Sequence, residues 1–218
     1  MIAVLLARLA RAVEVNEIVV ATSIDPRNQP LAELVRNLGY QCSIGSENDV
    51  LDRYWHAAKA SNANVVVRIT GDCPLVDPEL IDEAIRTFKA LRVDYFSNTS
   101  PPTYPDGLDI EVFTMASLEK AAKEACKPFD REHVTPYLRE SGQFKQDGMR
   151  YVEDFSRLRW TVDEMNDFEV ITNIFEHFSP QIHFNWHQVL QLQKKQPELF
   201  NINQQINRNE GAKLGTGQ

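Results

Sequence analysis

The segment 64–77, NVVVRITGDCPLVD, decides the fold expected for this chain. Three valines followed by Arg68 and Ile69 are apolar on both faces, a pattern typical of a central strand in a parallel sheet. The strand must end before Pro74, and Asp77-Pro78 is a helix start with an N-cap and a proline in the first turn. Asp72 is therefore predicted at the carboxyl end of a central strand, where open α/β sheets bind ligands.

Composition restricts the classes of protein to which the chain can belong. It has 218 residues, 43% of them hydrophobic and 25% charged, as expected for one large domain with a core. The net charge of -8 argues against broad binding to nucleic acid or anionic membranes. No apolar run reaches the length of about 18 residues expected of a membrane span. Residues 2–15 follow the spacing of an amphipathic helix rather than the pattern of a signal peptide. Three widely spaced cysteines indicate reduced thiols in a cytoplasmic protein.

Strand and helix patterns alternate along the chain, which predicts parallel βαβ units and an α/β fold. We expect a single domain over residues 1–200 and a polar, frayed tail over residues 201–218. The proline-rich range 97–107 is predicted to be a loop. Predicted strands cover 17–22, 41–44, 64–69, 94–97, 109–114, 150–152 and 158–162. Predicted helices cover 2–15, 30–38, 48–60, 79–91, 116–126, 130–140 with an interruption at Pro136, 167–178 and 186–195.

Several acidic residues are candidates to act together with Asp72. Asp163 directly follows the predicted strand 158–162, and Asp106, Asp109 and Glu111 lie close together in PDGLDIEVF. Because alternate residues of a strand share a face, Asp109 and Glu111 are expected on the same side. Asp72 and Asp163 would suit Mg²⁺, which binds one or two carboxylates together with waters and substrate phosphates. The alternative, that both aspartates are N-caps or turn formers, stays open at this point.

His133, in REHVTPY, is a further candidate. A histidine at the start of a helix, beside Arg131 and Glu132, could orient a substrate, and a purely structural role is the other interpretation.

Seven segments follow one another along nearly the whole chain: ATS (21–23), GSENDVLDRY (45–54), VVVRITGDCPLVDPELID (65–82), DYFSNTSPPTYPDGLDIEVF (94–113), REHVTPY (131–137), LRWTVDEMNDFE (158–169) and RNEG (208–211). Together these segments resemble the cytidylyltransferase family. That family includes proteins of spore coat polysaccharide biosynthesis and is similar to the synthetases of CMP-activated acidic sugars.

The resemblance implies a GT-A-like, Rossmann-like nucleotide-binding fold with a mixed, mostly parallel sheet. It also implies an enzyme of surface polysaccharide biosynthesis that joins CTP to a sugar or sugar acid, releases pyrophosphate and depends on Mg²⁺. By motif position, Asp72 and Asp163 would bind the metal and Arg68 would join them in catalysis. Ala21, Thr22, Ser23, Asp49 and Arg53 would bind the nucleotide, and Asp106, Asp109, Glu111 and His133 would face the sugar. The expected partners are therefore small molecules, and a homodimer is compatible with the resemblance.

One departure from the family pattern concerns the first strand of the sheet. Family members begin with a strand and a glycine-rich basic loop that cradles the triphosphate, and we expect both to be missing here. Their absence would leave backbone donors and acceptors exposed between the strands predicted at 17–22 and 64–69. Two other functions therefore remain open: an inactive homologue that binds nucleotide or a partner subunit, and a glycosyltransferase of the same fold.

Overall fold

The computed structural model describes residues 1–206 and residue 208 and shows an α/β fold. The strands are β1 (Val19–Ser23), β2 (Gln41–Gly45), β3 (Val65–Arg68), β4 (Tyr95–Ser97), β5 (Glu111–Thr114) and β6 (Gln146–Gly148). The α-helices are α1 (Ile2–Leu9), α2 (Gln29–Asn37), α3 (Val50–Ala60), α4 (Pro78–Leu91), α5 (Met115–Glu124), α6 (Pro128–His133), α7 (Pro136–Glu140), α8 (Met165–Phe178) and α9 (Trp186–Lys195).

The strands form two separate ladders. Strands β1 and β2 pair in parallel, and the other four strands pair in the order β3-β5-β4-β6. Because β5 is antiparallel to both β3 and β4 while β6 is parallel to β4, strands β3, β4 and β6 run in one direction. This confirms the predicted mixed α/β fold, with β5 as its reversed strand. Within residues 1–206 and 208, β1 pairs only with β2 and β3 pairs only with β5.

The four-stranded sheet carries apolar side chains on both faces. Phe96 and Val112 belong to the larger core, which is completed by helices α1, α4, α8 and α9. Their chain neighbours Tyr95 and Phe113 belong to a second core against α3 and α5. Successive strand residues point to opposite faces, so the same short strands serve both cores. Burial on both faces explains why these strands are apolar without alternation.

Helix α4 begins as predicted. The side chain of Asp77 accepts hydrogen bonds from the backbone N–H groups of Glu79 and Leu80, and Pro78 occupies the first turn. The other carboxylate oxygen of Asp77 accepts from the backbone N–H of Trp186, at the start of α9, over 2.8 Å. One buried carboxylate therefore fixes the loop after β3 relative to two helices.

The first helix is shorter than the sequence pattern predicts. It ends at Leu9 instead of continuing to residue 15. The buried carboxylate of Asp82 on α4 accepts from the backbone N–H groups of Val13 and Glu14, at 3.0 and 2.8 Å. These contacts satisfy donors that a helix would otherwise use, so a tertiary interaction overrides the helical periodicity.

The predicted strands 150–152 and 158–162 are wrong, and β6 at 146–148 was not predicted. Segment 158–162 is extended but makes only an isolated bridge, between Asp106 and Arg159. Its further bonds go to loop residues, including one from the Val162 N–H to the Asp72 carbonyl. Because segment 158–162 bonds to loop residues and not to a strand, it adds no strand to either sheet.

The segment that follows α9 is more ordered than predicted. Asn201–Asn203 form a short 3-10 helix, and Asn203 is buried. The expected frayed tail therefore cannot start at residue 201, and the rest of that prediction, at residues 207 and 209–218, lies outside the described residues. Among the helices described, none combines the length and apolar character needed to cross a bilayer.

Candidate functional site

The loop after β3 carries Asp72 toward the segment that carries Asp163. The backbone N–H of Val162 donates to the Asp72 carbonyl over 2.9 Å, and the Thr161 hydroxyl contacts an Asp72 carboxylate oxygen at 3.2 Å. Asp163 is the next residue, and 55% of its side chain is exposed. Two aspartates 91 positions apart in the sequence thus lie on adjoining loops, beside the end of β3.

Arg159 connects Asp163 to the rest of the acidic group. It is a buried side chain that donates to Asp167 at 2.9 and 2.7 Å, to Asp163 at 2.9 Å and to Asp106 at 3.4 Å. Burial alone would lower the pKa of Arg159, but the hydrogen bonds that it donates to Asp167 and Asp163 raise the pKa above its usual value. Arg159 therefore remains a cation, bonded to carboxylates on both sides.

Asp106 and Asp109 lie beside Arg208, the last described residue. Arg208 forms an ion pair with Asp109, approaches Asp106 at 3.7 Å and donates to the Tyr104 carbonyl at 3.3 Å. Burial raises the pKa of Asp106 to about 6, against the opposing charges of Arg208 and Arg159. Burial likewise raises the pKa of Asp109 despite its bond to Arg208. The carboxyl groups of Asp106 and Asp109 therefore keep their protons to a higher pH than an exposed aspartate does.

Arg68 and Glu111 face each other across the β3–β5 pair, and the sheet register makes them direct partners. Their side chains meet at 2.6 Å, and the Tyr95 hydroxyl donates to the second Glu111 oxygen at 2.5 Å. Burial would raise the pKa of Glu111, but Arg68 and the Tyr95 hydrogen bond hold it below its usual value. Arg68 retains a buried Nε with no partner among the described residues.

Cys73 shows that these carboxylates converge. Burial is the main cause of the raised pKa of its thiol, and the negative charges of Asp72, Asp109 and Asp106 raise this pKa further. Glu111 and Asp72 in turn raise the pKa of Asp109. The structure therefore brings Asp72, Asp106, Asp109 and Glu111 into one neighbourhood, although they come from three different elements. A thiol in this setting is not ionised, so it has no character of a nucleophile.

The residues expected at the nucleotide lie at the ends of β1 and β2. Ala21, Thr22 and Ser23 close β1, and the Ser23 hydroxyl accepts from Asn28 over 2.7 Å. Arg53 packs over Gly45 at the end of β2, donates to the Ser46 carbonyl at 2.8 Å and has a buried Nε with no partner in residues 1–206 and 208.

Asp49 is engaged within the protein. Its carboxylate caps α3 by accepting from the Asp52 N–H, and it also forms an ion pair with Arg131. The same arginine, which lies on α6, donates to the Ala122 carbonyl of α5, so it connects the start of α3 to both of these helices. Asp49 is therefore the N-cap of α3.

His133 is not brought to the acidic group. It ends α6 instead of starting a helix, and its ring packs against Phe129 at a centroid distance of 4.4 Å. The structure records no hydrogen bond from its ring to the candidate residues described above.

Four residues of this site were missed by sequence reasoning: Arg159, Asp167, Asn203 and Tyr54. Tyr54 is bracketed by Arg68 and Arg53, whose charges lower the pKa of its hydroxyl, while burial raises it and prevails. The four-residue spacing of Arg159, Asp163 and Asp167 was not a usable signal, because segment 158–162 is extended and α8 begins only at Met165. Nothing in the sequence pattern pointed to Asn203.

Asp72 and Asp163 form a donor set that fits Mg²⁺. Magnesium is usually held by one or two carboxylates and completes its shell with waters and substrate phosphates. The described residues contain no group of three or more His, Cys, Asp or Glu side chains arranged to enclose a metal ion. Two carboxylates on adjoining loops, one of them open to solvent, would leave the rest of such a shell to other oxygen ligands.

Comparison with known proteins points to one family. The cytidylyltransferase family model matches residues 1–206. An uncharacterized protein of Methanocaldococcus jannaschii is 37% identical over 206 residues, which cover 93% of this chain and 83% of the relative. The spore coat polysaccharide biosynthesis protein SpsF of Bacillus subtilis is 30% identical over 169 residues, 74% of this chain and 68% of SpsF.

A third relative and two solved structures extend the comparison. The 3-deoxy-manno-octulosonate cytidylyltransferase of Geobacter sulfurreducens is 39% identical over 80 residues, 36% of this chain and 30% of that enzyme. A cytidylyltransferase from Leptospira borgpetersenii superimposes with a TM-score of 0.87 at 30% identity, covering 91% of this chain and 84% of that structure. A CMP:2-keto-3-deoxy-manno-octonic acid synthetase complexed with CTP shares the fold, with a TM-score of 0.59 at 13% identity and coverage of 81% and 88%.

Proposed function

We propose that this chain, which belongs to the cytidylyltransferase family and is a nucleotidyltransferase, joins CTP to a sugar or sugar acid and releases pyrophosphate. The observation that carries the proposal is the bond between the Val162 N–H and the Asp72 carbonyl. This bond sets Asp163 beside Asp72, next to the end of β3. The names of the spore coat and 3-deoxy-manno-octulosonate relatives support a sugar of surface polysaccharide as the acceptor.

In the proposed reaction a sugar hydroxyl oxygen forms a bond to the α-phosphorus of CTP. The bond between the α-phosphorus and the bridging oxygen to the β-phosphate breaks, pyrophosphate leaves with that electron pair, and the hydroxyl proton passes to solvent. Such transfers depend mainly on positioning and on electrostatic stabilisation of the phosphates. The protein therefore has to orient two substrates and compensate charge, and it does not need a covalent nucleophile.

Asp72 and Asp163 would hold Mg²⁺ in this proposal. When bound, a magnesium ion neutralises charge on the triphosphate and helps to align the reacting oxygens. The contribution of the chain is rigidity: Thr161 and Val162 fix Asp72, and Arg159 fixes Asp163.

The two substrates are assigned to opposite sides of Asp72. Ala21, Thr22, Ser23 and Arg53, at the ends of β1 and β2, are proposed to line the nucleotide side. For Asp49 the support is indirect, since its carboxylate already caps α3 and pairs with Arg131.

Arg68, Glu111, Asp106 and Asp109 are proposed to line the sugar side. Asp106 and Asp109 act with Asp72 on the Cys73 thiol, Glu111 acts on Asp109, and Arg68 pairs with Glu111. Arg68 is the candidate for direct contact, since its guanidinium is fixed by Glu111 on one edge while its Nε lacks a partner among the described residues. The contacts of His133 give no support for a sugar-binding role. Activity in the cytoplasm and assembly into a homodimer belong to the same proposal.

The test is CTP binding by calorimetry with and without Mg²⁺, followed by pyrophosphate release with a panel of neutral, amino and acidic sugars. Asp72→Asn is expected to abolish the Mg²⁺ dependence of binding and to slow release about 100-fold or more. Asp154→Asn, at an exposed turn, is the matched control and is expected to behave as the wild type. Binding of nucleotide sugars in preference to CTP would indicate a glycosyltransferase, and CTP binding that ignores Asp72→Asn would refute the assignment of the site.

A further inference from the structure

Asp167 is the most completely enclosed carboxylate of the site. Its exposed fraction is 0%, and it receives two bonds from Arg159 together with the backbone N–H groups of Asp163 and Glu164, both at 3.0 Å. These four donated bonds hold the Asp167 carboxylate in one orientation, against Arg159 and the backbone of Asp163.

Arg159 links Asp167 to Asp163. It contacts both carboxylates through the same Nη2 atom, at 2.7 Å to Asp167 and at 2.9 Å to Asp163. Its two-point bond to the buried Asp167 fixes the guanidinium, and the guanidinium in turn fixes the Oδ2 atom of Asp163. No hydrogen bond from the described residues reaches the Oδ1 atom of Asp163, whose side chain is 55% exposed.

Asn203 adds a contact from a distant part of the chain. It lies 36 residues after Asp167, is 2% exposed, and its side-chain amide donates to Asp167 at 2.8 Å and to the Arg159 carbonyl at 3.2 Å. Asn203 therefore forms hydrogen bonds with both Asp167 and Arg159. The short 3-10 helix that carries Asn203 packs against α8. This helix is therefore connected to Asp163 through the side chains of Asp167 and Arg159.

We infer that Arg159, Asp167 and Asn203 form a positioning network that holds one oxygen of Asp163 and leaves the other oxygen available to a divalent cation. The inference rests on the proposed function, because it assigns these residues to the metal aspartate of that reaction. None of the three touches the substrates in this role, and each acts through Asp163. Outer-shell partners of this kind typically contribute about 10-fold to 100-fold in metal affinity.

The test is the affinity of the full chain for Mn²⁺ in the presence of CTP, read from the paramagnetic resonance signal of free Mn²⁺. Asn203→Ala is expected to weaken Mn²⁺ binding about tenfold, because Asp167 and Arg159 lose their common anchor. Asp167→Asn keeps the shape of the side chain but removes its charge. Arg159 then loses its two-point carboxylate partner and competes with the cation for Asp163, so this variant is expected to lose more affinity than Asn203→Ala.

The matched control is Asp82→Ala. Asp82 is 6% exposed and also makes two hydrogen bonds, but to the backbone of residues 13 and 14. Thermal unfolding measured on all variants identifies the part of each effect that comes from stability. The control is expected to lose stability as Asn203→Ala does and to bind Mn²⁺ as the wild type does.

Each outcome has a defined meaning. Wild-type Mn²⁺ affinity in folded Asn203→Ala, or an equal loss in Asp82→Ala, would overturn the positioning inference and leave the proposed function standing. A wild-type chain that binds no Mn²⁺ with CTP would instead refute the proposed function, and the inference would be refuted with it.

Discussion

Replacing Asp106 with asparagine is expected to stabilise the fold at high pH and to have little effect at low pH. Asp106 is 8% exposed, and its two cationic neighbours, Arg159 and Arg208, approach only to 3.4 and 3.7 Å. Charge-assisted bonds are usually shorter, near 2.7–2.9 Å. The attraction of the two arginines is therefore weaker than the cost of removing the carboxylate from water, and the pKa of Asp106 rises from 3.8 to about 6.

The magnitude follows from this difference in pKa. The folded chain binds the Asp106 proton more tightly than the unfolded chain does, so stability from this group is complete below about pH 4 and is lost as the pH rises through about 6. One pKa unit corresponds to about 1.4 kcal/mol, so the ionised carboxylate costs about 3 kcal/mol at high pH. Asparagine occupies the same volume and never ionises. The variant should therefore gain about 2–3 kcal/mol at pH 8, less near pH 5 and almost nothing near pH 4.

The assay is urea denaturation of both proteins at a series of pH values, with the difference in unfolding free energy plotted against pH. Taking the difference cancels titrations that the two proteins share. Asp154→Asn is the control, because a hydrogen bond from Ser156 lowers the pKa of Asp154 and its pH dependence must have the opposite sign. A difference for Asp106→Asn that stays constant from pH 4 to pH 8, or that shows destabilisation at pH 8, would refute the reasoning.

Two further substitutions test the frame around the site. Gly107 has φ of +103°, and a Cβ there would lie 2.6 Å from the Trp160 carbonyl, so Gly107→Ala should lower the unfolding free energy by about 3 kcal/mol or more. Gly71→Ala is the control: a Cβ there would meet no atom within 4 Å, so its cost should be under about 1 kcal/mol. Equal costs for the two variants would contradict this account. Tyr95→Phe removes the 2.5 Å hydrogen bond to buried Glu111 and should cost about 1–3 kcal/mol in the same assay, and an unchanged midpoint would show that this bond contributes nothing.

Features determined by neighbouring residues were predictable from the sequence. The valine run gave β3 to within a residue, Asp77-Pro78 gave the start of α4, and helix α9 has the predicted bounds 186–195. Caps, proline positions and apolar periodicity act within one or two turns, so the information lies in the segment itself. The same locality explains the failure at α1, where Asp82, 69 residues away from Val13, ends the helical pattern.

The site shows the same division between sequence and tertiary structure. That Asp72 follows the apolar strand β3 could be predicted, because the end of a strand is a local feature, whereas the strand predicted before Asp163 was wrong. That Arg159 lies between Asp163 and Asp167, with Asn203 closing the pair, was decided only by the tertiary structure. A buried charge is stable only where its partners surround it in three dimensions, and those partners come from parts of the chain that no local pattern links.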